Sequence, residues 1–134
     1  MYNIRLLEES DYETMADWWK FWRFPVPPRD FLPQDGLGGL MLLLDNVPVA
    51  AGFLYITNSK VAWLEFVVTN PSVKNKELRE EIKTIIVREL TVSAHELGKK
   101  YVFTTLKNQG LVKNFEECGY TKGSSNCLEM VAVL

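Results

Sequence analysis

The sequence predicts an α/β fold of the α+β kind: a mixed, mostly antiparallel sheet of about seven strands with helices on both faces. Three observations carry that reading. Apolar runs at 40–44, 47–56 and 60–68 are separated only by the polar turns Asp45-Asn46 and Asn58-Ser59, which makes three consecutive antiparallel strands. A long helix follows, because Leu78, Ile82, Ile85, Ile86, Leu90, Ala94 and Leu97 recur at spacings of three and four, with Lys83, Arg88, Glu89 and Glu96 between them. A further strand at 101–106 closes a strand, helix, strand crossover, so the strands at 61–69 and 101–106 are expected to be parallel neighbours inside an otherwise antiparallel sheet.

The remaining elements follow in chain order. Residues 2–7 alternate Ile4 and Leu6 against Asn3 and Arg5, the period of a half-buried strand. Ser10-Asp11-Tyr12-Glu13 has the spacing of a capping box, and Met15, Trp18, Trp19 and Trp22 give the helix behind it a heavy apolar face before Pro25 ends it. The segment 24–39 is dense in Pro25, Pro27, Pro28, Pro33, Gly36, Gly38 and Gly39, leaving room for one short helical turn at Arg29-Asp30-Phe31-Leu32. With Phe24 and Phe31 it is the expected substrate-side wall. Pro48 stands just after a turn, where a missing ladder N–H costs least, and Gly52 inside a strand suggests a bulge or a close backbone approach. Gly98 is placed to stop the long helix. Asn108 is placed to cap a short helix running to Cys118 with the apolar stripe Leu111, Val112, Phe115 and Cys118, and Gly119 ends it. Residues 120–122, a Gly-Ser-Ser-Asn turn and residues 127–134 read as a closing antiparallel pair.

The 134 residues, 47% hydrophobic and 24% charged, fit one globular domain spanning 1–134. A net charge of -2 argues against nucleic-acid binding by bulk electrostatics, so an anionic ligand has to be held locally. No apolar run reaches the roughly 18 residues of a membrane span. The opening Met-Tyr-Asn-Ile-Arg reads as a strand and not as a signal peptide, which makes the cytoplasm the expected location. Cys118 and Cys127 have no metal-ligand spacing and His95 is the sole histidine, so no metal site is expected. His95, on a helix between Ala94 and Glu96, reads as an ordinary surface or packed side chain.

Chemistry is expected in the stretch from Ala62 to Gly98. An apolar strand there feeds a helix through the polar loop Thr69-Asn70-Pro71, and the free N–H groups of such a junction favour an anion. Glu65 is a carboxylate inside an otherwise apolar strand and must face a cleft, a partner or the sheet edge.

The element order resembles the GNAT superfamily of acyl-CoA-dependent N-acyltransferases over essentially the whole chain. Asp45 to Phe53 is similar to that family's second hairpin, and Leu64 to Pro71 to the strand before its cofactor loop. Asn108-Gln-Gly-Leu-Val-Lys-Asn-Phe115-Glu-Glu-Cys-Gly119-Tyr120 resembles its asparagine, tyrosine and Gly-Phe pattern. The resemblance implies acetyl-CoA as acyl donor and a small-molecule or peptide amine as acceptor, with no metal. It implies a cofactor site at Val67, Val68, Lys74, Asn75, Lys76, Glu77, Leu78, Arg79, Asn108 and Phe115, with the pantetheine arm splaying the parallel strands apart at their C-terminal ends. It also implies Glu65 as the group that accepts the amine proton.

Two departures stand beside the likeness. The family's loop follows Gln/Arg-x-x-Gly-x-Gly/Ala, and here the glycine positions hold Glu77 and Arg79. Either Lys74, Lys76 and Arg79 supply the phosphate contacts instead, or the glutamates near the helix start simply offset the dipole of a helix that holds no anion. The family's tyrosine, which protonates the departing thiolate, is here Phe115, which has no proton to give. A non-catalytic protein on the same fold, serving a partner or a structural role, is the alternative reading.

Overall fold

The computed structural model describes residues 1–107 and 109–134; the expected helix-capping and cofactor-binding role of Asn108 lies outside the described residues. One five-stranded sheet runs in the order β1 (Tyr2–Leu6), β2 (Gly39–Leu44), β3 (Val47–Ile56), β4 (Val61–Thr69) and β5 (Tyr101–Phe103). All pairs are antiparallel except β4 with β5, which are parallel neighbours as the crossover requires. The β2–β3 turn puts Asp45 and Asn46 at φ 50° and 68°, the left-handed pair that matches the twist of a tight hairpin.

Helices cover both faces. On one side α2 (Lys76–Glu96) packs Ile82, Ile86, Val87, Leu90 and Ala94 onto Leu42, Ala50, Leu54, Ala62 and Leu64, and Phe115 of α3 (Val112–Glu117) joins the same core. On the other side α1 (Asp11–Phe21) packs Met15, Trp18 and Trp19 onto Met41, Ala51, Phe53 and Val68. Segment 24–39 contains two short 3-10 turns, Arg29–Phe31 and Pro33–Gly36, the first on the expected helical turn. Gly98 and Gly119 end α2 and α3 at φ 84° and 93°.

Several elements differ from expectation. Five strands form among the described residues instead of seven: 120–122 and 127–134 make no ladder, and Leu128, Met130, Val131, Val133 and Leu134 are exposed. A period-2 apolar pattern makes a strand only where an edge accepts its hydrogen bonds and a face covers its side chains. The strand expected at 101–106 ends at Phe103. Ser10 forms no capping box; the buried carboxylate of Asp11 instead accepts the Glu8 N–H at 2.8 Å and both arms of the Arg5 guanidinium at 2.7 and 3.0 Å, fixing α1 to β1. Trp22 lies past the end of α1, 41% exposed, its indole N–H bonded to the Thr69 carbonyl at 2.9 Å. Leu97 falls at the C-cap of α2 and is exposed, so the core stripe ends at Ala94.

The sheet departs from regularity where β3 meets β4. Ala51 pairs with Val68 and Phe53 with Glu65, leaving Phe66 and Val67 opposite Gly52 alone, with Phe66 at φ 59°. This is the bulge or close approach that an in-strand glycine suggests, and both are present. A Cβ on Gly52 would lie 2.7 Å from Leu90 Cδ1 and 3.2 Å from Val67 Cγ2, so the absent side chain lets α2 settle on the bulged strand. Gly52→Val should therefore lower stability by about 1–3 kcal/mol through overpacking. Gly123→Ala, with nothing within 4 Å of the new Cβ, should change it little. Urea unfolding of the two variants measures both.

Candidate active site

β4 and β5 part company early. Their ladder consists of Val61↔Tyr101, Ala62↔Val102 and Trp63↔Phe103, while β4 continues to Thr69. Past Trp63 no ladder joins β4 to the chain that follows β5, and this unpaired stretch beside β4 is the wedge where a splay of the two parallel strands was expected. Extending the register by two residues brings Glu65 opposite Thr105. There the side chain does what a backbone carbonyl would have done: Glu65 Oε2 accepts the Thr105 N–H at 3.1 Å. Of the three surroundings left open by sequence, Glu65 faces the cleft, at the mouth of the wedge.

Its electrostatics follow from that placement. Burial raises the Glu65 carboxyl from the usual 4.5 to about 7, opposed by the Thr105 N–H and the Lys107 ammonium and reinforced by the Glu129 carboxylate. Lys107 and Glu129 pair with each other at 3.2 Å. Tyr55, pushed up to about 12 by burial and then by Glu65, remains a phenol at neutral pH and donates to the Phe31 carbonyl at 2.7 Å.

The loop after β4 is built on Asn70. Its N–H bonds the Val49 carbonyl at 2.8 Å, its side-chain amide donates to Pro48 at 2.9 Å, and its two oxygens accept the N–H groups of Ser72 and Val73. Asn75 then caps α2 through the Leu78 N–H at 3.0 Å, and its carbonyl takes the Arg79 N–H. Among the described residues, the N–H groups of Lys76 and Glu77 find no partner, which leaves two donors at the positive end of a 21-residue helix.

The proposed cofactor residues fall in three places. Val67 is half-buried toward α2 and Val68 is buried toward α1, both at the bulge. Lys74, Asn75, Lys76 and Glu77 are exposed at the start of α2, with Leu78 and Arg79 half-buried behind them. Phe115 is buried on the α2 side with its ring 4.9 Å from that of Tyr120, whose hydroxyl shares a hydrogen bond with Thr91 at 2.7 Å. Val67 and Phe115 thus share one core, whereas Glu65 opens on the opposite face. Sequence reasoning missed Thr105, Lys107 and Glu129 as the neighbours of Glu65. The first could have been found by counting the parallel register forward; the other two depend on where the chain turns after β5.

No group of histidine, cysteine, aspartate and glutamate side chains able to hold a metal ion occurs among the described residues, and no helix among them is long and apolar enough to cross a membrane. His95 is exposed, Cys118 half-buried and Cys127 exposed.

No family model matches the chain, and a search of curated proteins finds no match. Solved structures do match. The ribosomal-protein-S18-alanine N-acetyltransferase of Escherichia coli superposes with a TM-score of 0.72 at 15% identity, over 92% of this chain and 80% of that one. N-acetylglutamate synthase from Neisseria gonorrhoeae, complexed with coenzyme A and N-acetyl-glutamate, gives 0.72 at 16% identity over 92% of this chain, which spans 29% of the synthase. AAC(6')-Iy, in complex with the bisubstrate analog CoA-S-monomethyl-acetylneamine, gives 0.67 at 12% identity over 99% of both chains. The fold is that of the GNAT acetyltransferases.

Glu65 binds protons more tightly in the folded chain than in the unfolded one, so its contribution to stability is full below about pH 4.5 and is lost as pH rises to about 7. Glu65→Gln keeps an oxygen for the Thr105 N–H and removes the charge. Melting temperatures should coincide near pH 5, and the variant should be the more stable of the two at pH 8. Equal melting temperatures at both pH values would contradict this account of Glu65.

Proposed function

We propose that residues 1–134 form one N-acetyltransferase domain that moves an acetyl group from acetyl-CoA to an amine by direct attack. The observation that carries the reading is the wedge between β4 and β5, opened beyond a three-pair parallel ladder and guarded at its mouth by Glu65. The fold neighbours that hold coenzyme A or a CoA-based analog support it.

In this reading the wedge takes the pantetheine arm, and the N–H groups of Lys76 and Glu77 face the pyrophosphate, with Lys74, Lys76 and Arg79 beside it. Backbone at Val67 and Val68, freed from a β5 partner, polarises the thioester carbonyl. Glu65, poised near neutrality, takes a proton from the acceptor nitrogen directly or through a water, and Thr105 and Lys107 keep the carboxylate oriented. The C–N bond forms as the C–S bond breaks, and the electron pair of the broken bond leaves on sulfur. Phe115 cannot protonate it, and the Tyr120 hydroxyl is committed to Thr91, so the thiolate takes its proton from solvent. A thiol pKa of about 8.5 makes that exit feasible near neutral pH.

The second reading, a non-catalytic protein on this fold, is favoured by Glu77 and Arg79 at the glycine positions and by Phe115. One titration separates the two. Coenzyme A should bind the unaltered chain, bind the triple variant Lys74→Ala, Lys76→Ala, Arg79→Ala more weakly at nearly unchanged melting temperature, and bind Glu77→Gly more tightly. No binding to any of the three favours the non-catalytic reading, and equal binding to all three removes the phosphate role of this loop. Glu65→Gln should retain coenzyme A affinity and lose about 10²–10⁴-fold in acetyl transfer, the usual range for a general base.

A further inference from the structure

Three strands place one aromatic side chain each in a single cross-strand row. Tyr55 of β3 pairs with Trp63 of β4, and Trp63 pairs with Phe103 of β5. Ala62 and Leu64 on either side of Trp63 point into the α2 core, so Trp63 faces the other way, and the Phe103 ring lies 5.2 Å from it on that same face. α1 covers this face further along the sheet, over Met41, Ala51, Phe53 and Val68, with Tyr55 packed against the edge of that cluster and Trp63 and Phe103 outside it. Trp63 and Tyr55 are half-buried and Phe103 is 50% exposed. Phe31, 56% exposed, is held next to the row because its carbonyl takes the Tyr55 hydroxyl. Part of the proline-rich segment thus lies beside the row.

A shallow cleft of about 410 Å³ runs beside Tyr55 and Trp63 as far as Glu65, lined by Tyr55, Ile56, Thr57, Trp63 and Glu65. Its chemistry is selective. Glu65 is the one carboxylate in the lining; Glu129, whose charge acts on Glu65, is already paired with Lys107. A polyamine or an aminosugar with several ammonium groups would bring more positive charge than this lining can balance and would leave the ring faces uncovered. A planar aromatic body covers them by stacking, and its single amine finds the single carboxylate. Spacing agrees as well: Trp63 and Glu65 are two residues apart on one strand face, about 7 Å along the chain, the reach of a ring plus a two-carbon arm.

Resting on the acetyltransferase reading above, we propose that the acceptor is an arylalkylamine, its ring lying on Trp63 and Phe103 and its nitrogen reaching Glu65. Transfer from acetyl-CoA should be measured with phenethylamine, tryptamine, n-butylamine and spermidine, and binding of phenethylamine without acetyl-CoA by saturation transfer to its ring protons. The aromatic amines should exceed n-butylamine at least tenfold in kcat/KM, and Trp63→Ala should bring that ratio toward one. Phe103→Ala, at an exposed edge position, replaces Trp63→Ala if the latter does not fold. Transfer to spermidine or n-butylamine with no advantage for the aromatic amines would overturn the proposal and leave acetyl transfer standing. If no amine is acetylated and coenzyme A does not bind, the acetyltransferase reading fails, and saturation transfer then decides the aromatic site alone. A ring-proton signal that is present with the unaltered chain and vanishes with Trp63→Ala supports the site, and no signal with the unaltered chain overturns it.

Discussion

One extra residue in β4 governs the site. Phe66 and Val67 together face Gly52, a bulge of the kind that sharpens a strand's twist, and it lies just beyond Trp63, where the parallel ladder that began at Val61 ends. The bulge is possible because position 52 has no Cβ to meet Leu90, which lets the longest helix lie flat on an irregular part of the sheet. Wedge, carboxylate and helix start are then placed by a single packing compromise. Trp22 and Asn70 hold the end of β4 from either side, one through the Thr69 carbonyl and the other through Pro48 and Val49.

Glu65 shows how a side chain can take over a backbone's duty and gain a chemical property from it. Its register position calls for a partner to the Thr105 N–H, and the carboxylate supplies one at the cost of desolvation. That cost raises its proton affinity from the usual 4.5 to about 7. The start of α2 makes the opposite arrangement: Lys74, Lys76 and Glu77 all remain in solvent, with Arg79 half-buried behind them.

Much of this was legible in sequence wherever local pattern and tertiary need agree. The two hairpins at 39–69, the α2 stripe from Ile82 to Ala94, the glycine stops at 98 and 119 and the parallel neighbours across the crossover all follow from period and turn chemistry. Ser10 misled because a capping box is a spacing, and here the Asp11 carboxylate won the competition through a guanidinium five residues upstream of the cap. The closing pair of strands misled because alternation records a capacity to pair, and nothing in residues 120–134 specifies the edge. Glu65 was legible as an anomaly, a charge in an apolar run. Its neighbours were not, since Lys107 and Glu129 meet only through the path of the chain after β5, and the row of Tyr55, Trp63 and Phe103 exists only once the register of three strands is known.

The short ladder that opens the wedge also sets a gradient of mechanical firmness across the sheet. β3 is hydrogen-bonded on both sides along most of its ten residues and is buried through its middle, whereas β5 hangs on three residue pairs with two of its three side chains in solvent. Opening β5 by itself breaks few bonds and uncovers little apolar surface, so its amides exchange with solvent from a locally open state long before those of β3 do. The sheet is therefore firm where β3 and β4 carry the backbone of Glu65 and compliant at β5, the side that would have to yield for a long, flexible ligand to thread between the strands.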